Sequence, residues 1–144
     1  MESVRLPSEN EGGKAREISR GIVAIYKDYL GRGPTRAQTT IAGDAVICLL
    51  EASLTKAEST LVEGKRSPAV RGIRREFQEA MREEIKGLVT AVMGRQARAL
   101  LSDHCPQPDY AIEVVLLQPE GGGDGEEPQT GSGSSAASAA SSSE

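Results

Sequence analysis

The sequence predicts an α+β fold. Two αββ units contribute four strands to one mostly antiparallel sheet, with two long helices packed on one face and a short connecting helix between the units. Three observations carry this. Two long stretches repeat apolar residues at helical spacing, each stretch ends at a Gly-Arg pair, and each is followed by two short β-forming segments joined by turn residues. The shared plan reads as a pseudo-repeat.

In the first stretch, Lys14 to Leu30, Ile18, Ile22, Ile25 and Tyr29 recur at steps of four, three and four, with Val23, Tyr26 and Leu30 widening the stripe. Gly31 stands where a C-terminal stop is expected, and Gly33-Pro34 prevents continuation. Residues 1–13 read as a flexible leader. Gln38 to Ala42 and Ala45 to Leu50 then form a hairpin around Gly43-Asp44, and polar Gln38, Thr39 and Thr40 suit the first strand to an edge.

Thr55 and Glu58 have capping-box spacing, so a short helix starts there and ends by Gly64. Ser67-Pro68 marks a second start, with Ser67 as the N-cap and Pro68 at the first helical position. Val70, Ile73, Phe77, Met81, Ile85, Leu88 and Val92 continue at helical spacing to Gly94, defining the main core helix. Arg95 to Leu101 alternates with Ala97, Ala99 and Leu101 on one face. Tyr110 to Leu117 alternates too. The prolines at 106 and 108 assign Ser102 to Asp109 to a loop between these strands. The ordered body is expected to span residues 14–118. Residues 119–144 are Gly, Ser, Ala, Pro and acids without a bulky apolar residue, a composition that predicts a disordered tail. Apolar residues on both faces of 45–50 and 110–117 call for a cover on the second sheet face, and a homodimer is the simplest one.

Composition narrows the function classes. The net charge of −4 comes from the tail, whose Glu120, Asp124, Glu126, Glu127 and Glu144 stand without a base and leave the body near +1. A nearly neutral body with Tyr26, Tyr29, Phe77 and Tyr110 as its aromatics argues against nucleic-acid binding, which needs a basic field or a stacking platform. The N-terminus lacks a signal-peptide pattern, and the longest apolar run, Ala45 to Leu50, is far below the ~20 residues of a membrane span. These features place the chain in the cytoplasm without direct membrane insertion, any membrane association coming through a partner.

No constellation in the sequence supports catalysis or a cofactor. His104 with Cys105, Asp103 and Asp109 offers one short cluster without the second ligand pair that zinc sites use, so no metal is assigned. Neighbours on an extended chain point to opposite sides, which separates Cys105 from His104 as a nucleophile pair. Gly31-Arg32-Gly33-Pro34 follows a helix, whereas phosphate-binding glycine loops precede one. The least ordinary feature is basic charge at the start of the long helix: Lys65, Arg66, Arg71, Arg74 and Arg75 are candidate anion-binding residues. Arg-Glu pairing along the helix, as for Arg75 and Glu79, is the plainer account of the same charges.

The run EISRGIVAIYKDYLGRGPTRAQTTIAGDAVICLLEASLTKAE, then VRGIRREF, then VMGRQARALLSDHCPQPDYAIEVVLL, resembles the MpsC-type domain, named after a Na+-translocating, membrane-potential-generating system. The resemblance covers about residues 16–117. Its markers are Gly31 with Gly33-Pro34, Leu54-Thr55 with Glu58, Arg71 and Arg74, Gly94, and Ser102-Asp103. It implies a non-enzymatic accessory or regulatory domain beside a cation or bicarbonate uptake system, with a membrane transport protein as partner. The alternative is a small-anion sensor built on the basic cluster. Cys105 with its two prolines, and the tail, depart from the family pattern.

Overall fold

The computed structural model describes residues 9–120. In chain order it contains α1 (Glu9–Leu30), β1 (Arg36–Ala42), β2 (Ala45–Glu51), α2 (Lys56–Glu63), α3 (Ser67–Met93), β3 (Ala97–Cys105) and β4 (Tyr110–Leu117). The strands form one antiparallel sheet in the order β1-β2-β4-β3, so the chain is α+β as its sequence predicts. One continuous core joins Ile18, Ile22 and Tyr26 of α1 and Met81, Ile85 and Val89 of α3 to Val46, Leu50, Leu100, Val115 and Leu117 of the sheet. Both long helices therefore lie on the same sheet face. They run antiparallel: Tyr29 bonds Glu84, while Gly21 sits against Leu88 where a Cβ would meet the leucine's methyls.

The pseudo-repeat is visible in the pairing. Because β2 pairs antiparallel with β4, the two hairpins are related by an approximate two-fold axis normal to the sheet. Equivalent tethers occur at both ends. Ala52 N–H donates to the Asp109 carbonyl (3.0 Å), and Leu117 N–H donates to the Asp44 carbonyl (2.8 Å). Arg32 binds the carbonyls of Leu54 and Ala52 just past β2, and Arg95 binds the carbonyl of Gln118 just past β4. The two Gly-Arg pairs thus act alike: a left-handed glycine (Gly31, φ 86°; Gly94, φ 71°) stops the helix, and the arginine ties off its own hairpin.

Several boundaries differ from expectation. The first helix starts at Glu9, not Lys14, so residues 9–13 are no leader; residues 1–8 lie outside the described residues. Residues 11–15 are half-buried, and an acid in the opening turn suits the helix dipole, which offsets the poor propensity of Gly12 and Gly13. β1 begins at Arg36. Ser67 lies inside α3, whose N-cap is Arg66 without a side-chain bond. β3 runs through Cys105, so the expected loop shrinks to residues 106–109: the prolines forbid pairing at their own positions, not upstream. A β-bulge between Ala97 and Ala99 turns Leu100 inward and Leu101 outward. On the helices, Tyr26 rather than Tyr29 and Arg74 rather than Ile73 occupy the buried stripe. Of the expected tail, residues 121–144 lie outside the described residues.

The second sheet face carries four cross-strand rows: Ala42, Ala45, Leu116 and Ala99; Thr40, Ile47, Val114 and Leu101; Gln38, Leu49, Ile112 and Asp103; Arg36, Glu51, Tyr110 and Cys105. Among the described residues no helix covers it. Leu101 is 59% exposed, and Leu49, Leu116 and Tyr110 are each above a third.

Candidate functional site

The richest polar chemistry lies beneath the start of α3, at the Asp109 end of the sheet. The Thr55–Glu58 capping box forms as the sequence predicts: Glu58 N–H donates to Thr55 Oγ1 (3.1 Å), and Thr55 N–H donates to Glu58 Oε1 (2.9 Å). The same carboxylate also faces inward. Arg74 donates to it twice, from Nε to Oε2 (2.9 Å) and from Nη2 to Oε1 (3.0 Å). Arg74 further donates to Ser53 Oγ (3.1 Å) and to the Ser53 carbonyl (2.7 Å). The pair is 2% and 5% exposed. Burial disfavours the Glu58 carboxylate, but the bonds and charge of Arg74 together with the Thr55 bonds outweigh it and hold its pKa below the ordinary value.

His104 adjoins this cluster from β3. Its Nε2 lies 3.1 Å from Asp109 Oδ1, and Asp109 Oδ2 accepts from Leu54 N–H (2.8 Å). Burial pushes the imidazole pKa down, against the raising effect of Asp109, and Arg74 adds to the depression. Its Nδ1 is buried without a hydrogen-bond partner. An Asp–His pair of this kind orients a base, but the His104 side chain is 1% exposed and Cys105 points to the other sheet face. A substrate has no approach to the ring.

A second buried group sits nearer the middle of the sheet. Glu113 of β4 accepts from Tyr26 Oη (2.6 Å) and from Ser102 Oγ. Desolvation raises the Glu113 pKa despite both bonds, and burial together with Glu113 raises that of Tyr26. Cys48 alongside is pushed up to about 11 by burial, which keeps it a thiol.

The candidate anion cluster is not one site. Arg74 points into the fold with its guanidinium engaged by Glu58 and Ser53, whereas Lys65, Arg66, Arg71 and Arg75 are solvent-exposed. Of the other marker residues, Gly31 and Gly94 stop helices, Gly33 packs beneath Val23, Pro34 is buried, and Asp103 accepts from His104 N–H. No group of three or more His, Cys, Asp or Glu that could hold a metal occurs among the described residues. Sequence reasoning missed Ser53, which carries no signal, and the burial of His104, hidden by the overlong loop. Glu113 did carry one, as the single acid in an otherwise apolar strand.

At the opposite end of the sheet a groove of about 880 Å³ runs between the first turns of α1 and the β1–β2 hairpin, with Lys14, Asp44 and Arg95 on its walls. Both signs of charge line it. No helix of the described residues is long and apolar enough to cross a membrane.

Comparison with known proteins gives this geometry a context. The family model for the Na+-translocating membrane potential-generating system (MpsC) matches residues 10–119. The chain is 30% identical over 110 residues to the uncharacterized protein YbcI of Bacillus subtilis, an alignment covering 76% of this chain and 89% of that protein. No solved structure matches it. The chain belongs to the MpsC family.

Proposed function

We propose that this chain is an accessory or regulatory component of a Na+-translocating, membrane-potential-generating system, without a catalytic centre of its own. Its working surface would be the open sheet face, and its place the cytoplasmic side of the membrane, held there by a transport protein. The observation that carries this reading is a division within the fold. The buried side chains of Arg74, Glu58, His104, Tyr26 and Glu113 each bond a neighbouring element, whereas the sheet face opposite the helices offers apolar side chains to solvent. A surface of that kind serves protein contact.

The test is physiological. Deleting the gene, or replacing it with a Leu101→Glu version, is expected to lower the Na+-dependent membrane potential reported by a potential-sensitive dye. A potential unchanged in both strains would overturn the reading. Anion sensing gains no support from the arrangement, because Arg74 is occupied by Glu58 and Ser53 and the four remaining bases are exposed to solvent.

A further inference from the structure

We propose that the open sheet face is the contact between two copies of this chain, stacked with β1 of each copy over β3 of the other. The proposal deepens the reading of that face as the working surface, and rests on it.

Size is the first argument. Strands about 4.8 Å apart and residues rising about 3.3 Å give a face on the order of 20 Å by 23 Å. That is at the scale of the largest apolar patch found on ordinary monomers. Covered by its own copy, it buries on the order of 1,000 Å², which reaches the lower bound of a specific interface.

Charge is the second argument, and it selects the orientation. The two central columns are apolar over three rows, Ala45, Ile47 and Leu49 on β2 and Ile112, Val114 and Leu116 on β4, and end at Glu51 and Tyr110 in the fourth. The edges differ. β1 presents Arg36, Gln38 and Thr40, while β3 presents Leu101, Asp103 and Cys105. Two sheets stack about 10 Å apart with strands nearly aligned. A two-fold axis parallel to the strands keeps every row in place and exchanges the edges. Gln38 of one copy then faces Asp103 of the other, Arg36 faces Cys105, and the long Arg36 side chain reaches the acid one row away. A two-fold axis across the strands instead sets β1 over β1 and Arg36 over Ala42, with no opposite charge to meet. Arg36 is 69% exposed, and its own-chain contact with Glu51 is a loose 3.8 Å, so it is free to turn toward a second copy. Complementary edges fix register, and the apolar columns supply the attraction.

The experiment uses the full chain. Light scattering across a concentration series is expected to show a dimer that Leu101→Glu converts to a folded monomer; Leu101 is exposed, so the change spares the core. Arg36→Glu and Asp103→Arg are each expected to weaken the dimer at least tenfold, and the double variant to recover most of that loss. A short bifunctional thiol reagent should link Arg36→Cys to the native Cys105 of the other copy. Linkage from Ala99→Cys instead would overturn the orientation. A monomeric wild type, or a dimer indifferent to Leu101→Glu, would overturn the proposal. A monomer whose Leu101→Glu strain still loses Na+-dependent potential would sink the dimer and leave the accessory reading standing; a dimer in a strain with normal potential would do the reverse.

Discussion

The two ends of the sheet occupy equivalent places in a pseudo-symmetric fold, yet they are held by different physics. At one end the turn aspartate is Asp44, which meets Arg95; the acid is 58% exposed and the arginine 15%. At the other the turn aspartate is Asp109, which binds His104 and the Leu54 amide beside the buried Arg74–Glu58 pair. The difference is α2. The second hairpin ends near the end of the described chain, whereas the first is followed by the Ser53–Glu63 segment, which folds back beneath α3 and seals the polar groups there from water. Equivalent topology therefore does not give equivalent energetics: a pair whose acid stays in water is worth little, and a fully buried one cannot lose a single member cheaply.

The largest expected effect tests this directly. Arg74→Ala should lower unfolding stability by about 3–5 kcal/mol, because it strands the Glu58 carboxylate in the interior. Arg95→Ala, the counterpart at the other end, should cost less, about 1–2 kcal/mol, because it loses the Asp44 pair and the bonds to the Gln118 carbonyl but leaves no buried charge. Denaturant titration of the two variants reads the gap, and equal losses would erase the distinction between the ends.

The next effect separates two buried acids. Glu58 is ionised against Arg74, so Glu58→Gln loses charge-assisted bonds and should cost about 1.5–3 kcal/mol. Burial raises the Glu113 pKa, and its partners are the uncharged hydroxyls of Tyr26 and Ser102 rather than a guanidinium, so Glu113→Gln should cost less, about 1 kcal/mol. Reversal of that order would mean that the Arg74 bonds to Glu58 contribute less than the two hydroxyl bonds to Glu113.

Acid sharpens the comparison further. His104 stays neutral in the fold, while the unfolded chain takes up its proton below about pH 6.5. Its contribution to stability is therefore complete above that value and declines as pH falls toward the depressed folded value. Glu58, whose folded pKa is lowered, adds a further loss only at more acidic pH, as its carboxylate protonates. Glu113 works in the opposite sense: its raised pKa favours the fold below the unfolded value of about 4.3, and that advantage fades as pH rises through the folded value. On going from pH 7 to pH 5, the melting temperature of His104→Gln should fall less, or rise more, than that of the wild type, whereas Asp44→Asn should track the wild type. At neutral pH, Asp44→Asn is the smallest effect, about 0.5 kcal/mol or less and sensitive to salt.

The candidate site was legible only in part, and particular residues show why. Thr55 and Glu58 announce their helix start, because a capping box is a local arrangement within four consecutive residues. That Glu58 also binds Arg74, sixteen residues on, is invisible to any local rule. Arg74 itself looked like one of five surface bases, since its neighbours Lys65, Arg66, Arg71 and Arg75 do face solvent. Ile73 looked like core, yet it is 40% exposed, because α2 shifts the buried stripe at the start of α3 by one position. His104 lies in β3, not in the expected loop, because Pro106 and Pro108 remove only their own amides from the ladder.

What the sequence by itself determined is the fold class, the number of strands and their succession along the chain, the glycine stops and the duplicated αββ plan. Each depends on spacing within one element or on a turn of two residues. Only the tertiary structure decided which face of β3 is buried, since one bulged residue reverses it, and which acids and bases lose water. Burial of a charge is set by elements distant in the chain, and no period in the sequence encodes that distance. The open sheet face lies between these two cases: its apolar residues and the packing of both helices on the other side were legible, but which residues of β3 line it was decided by the bulge.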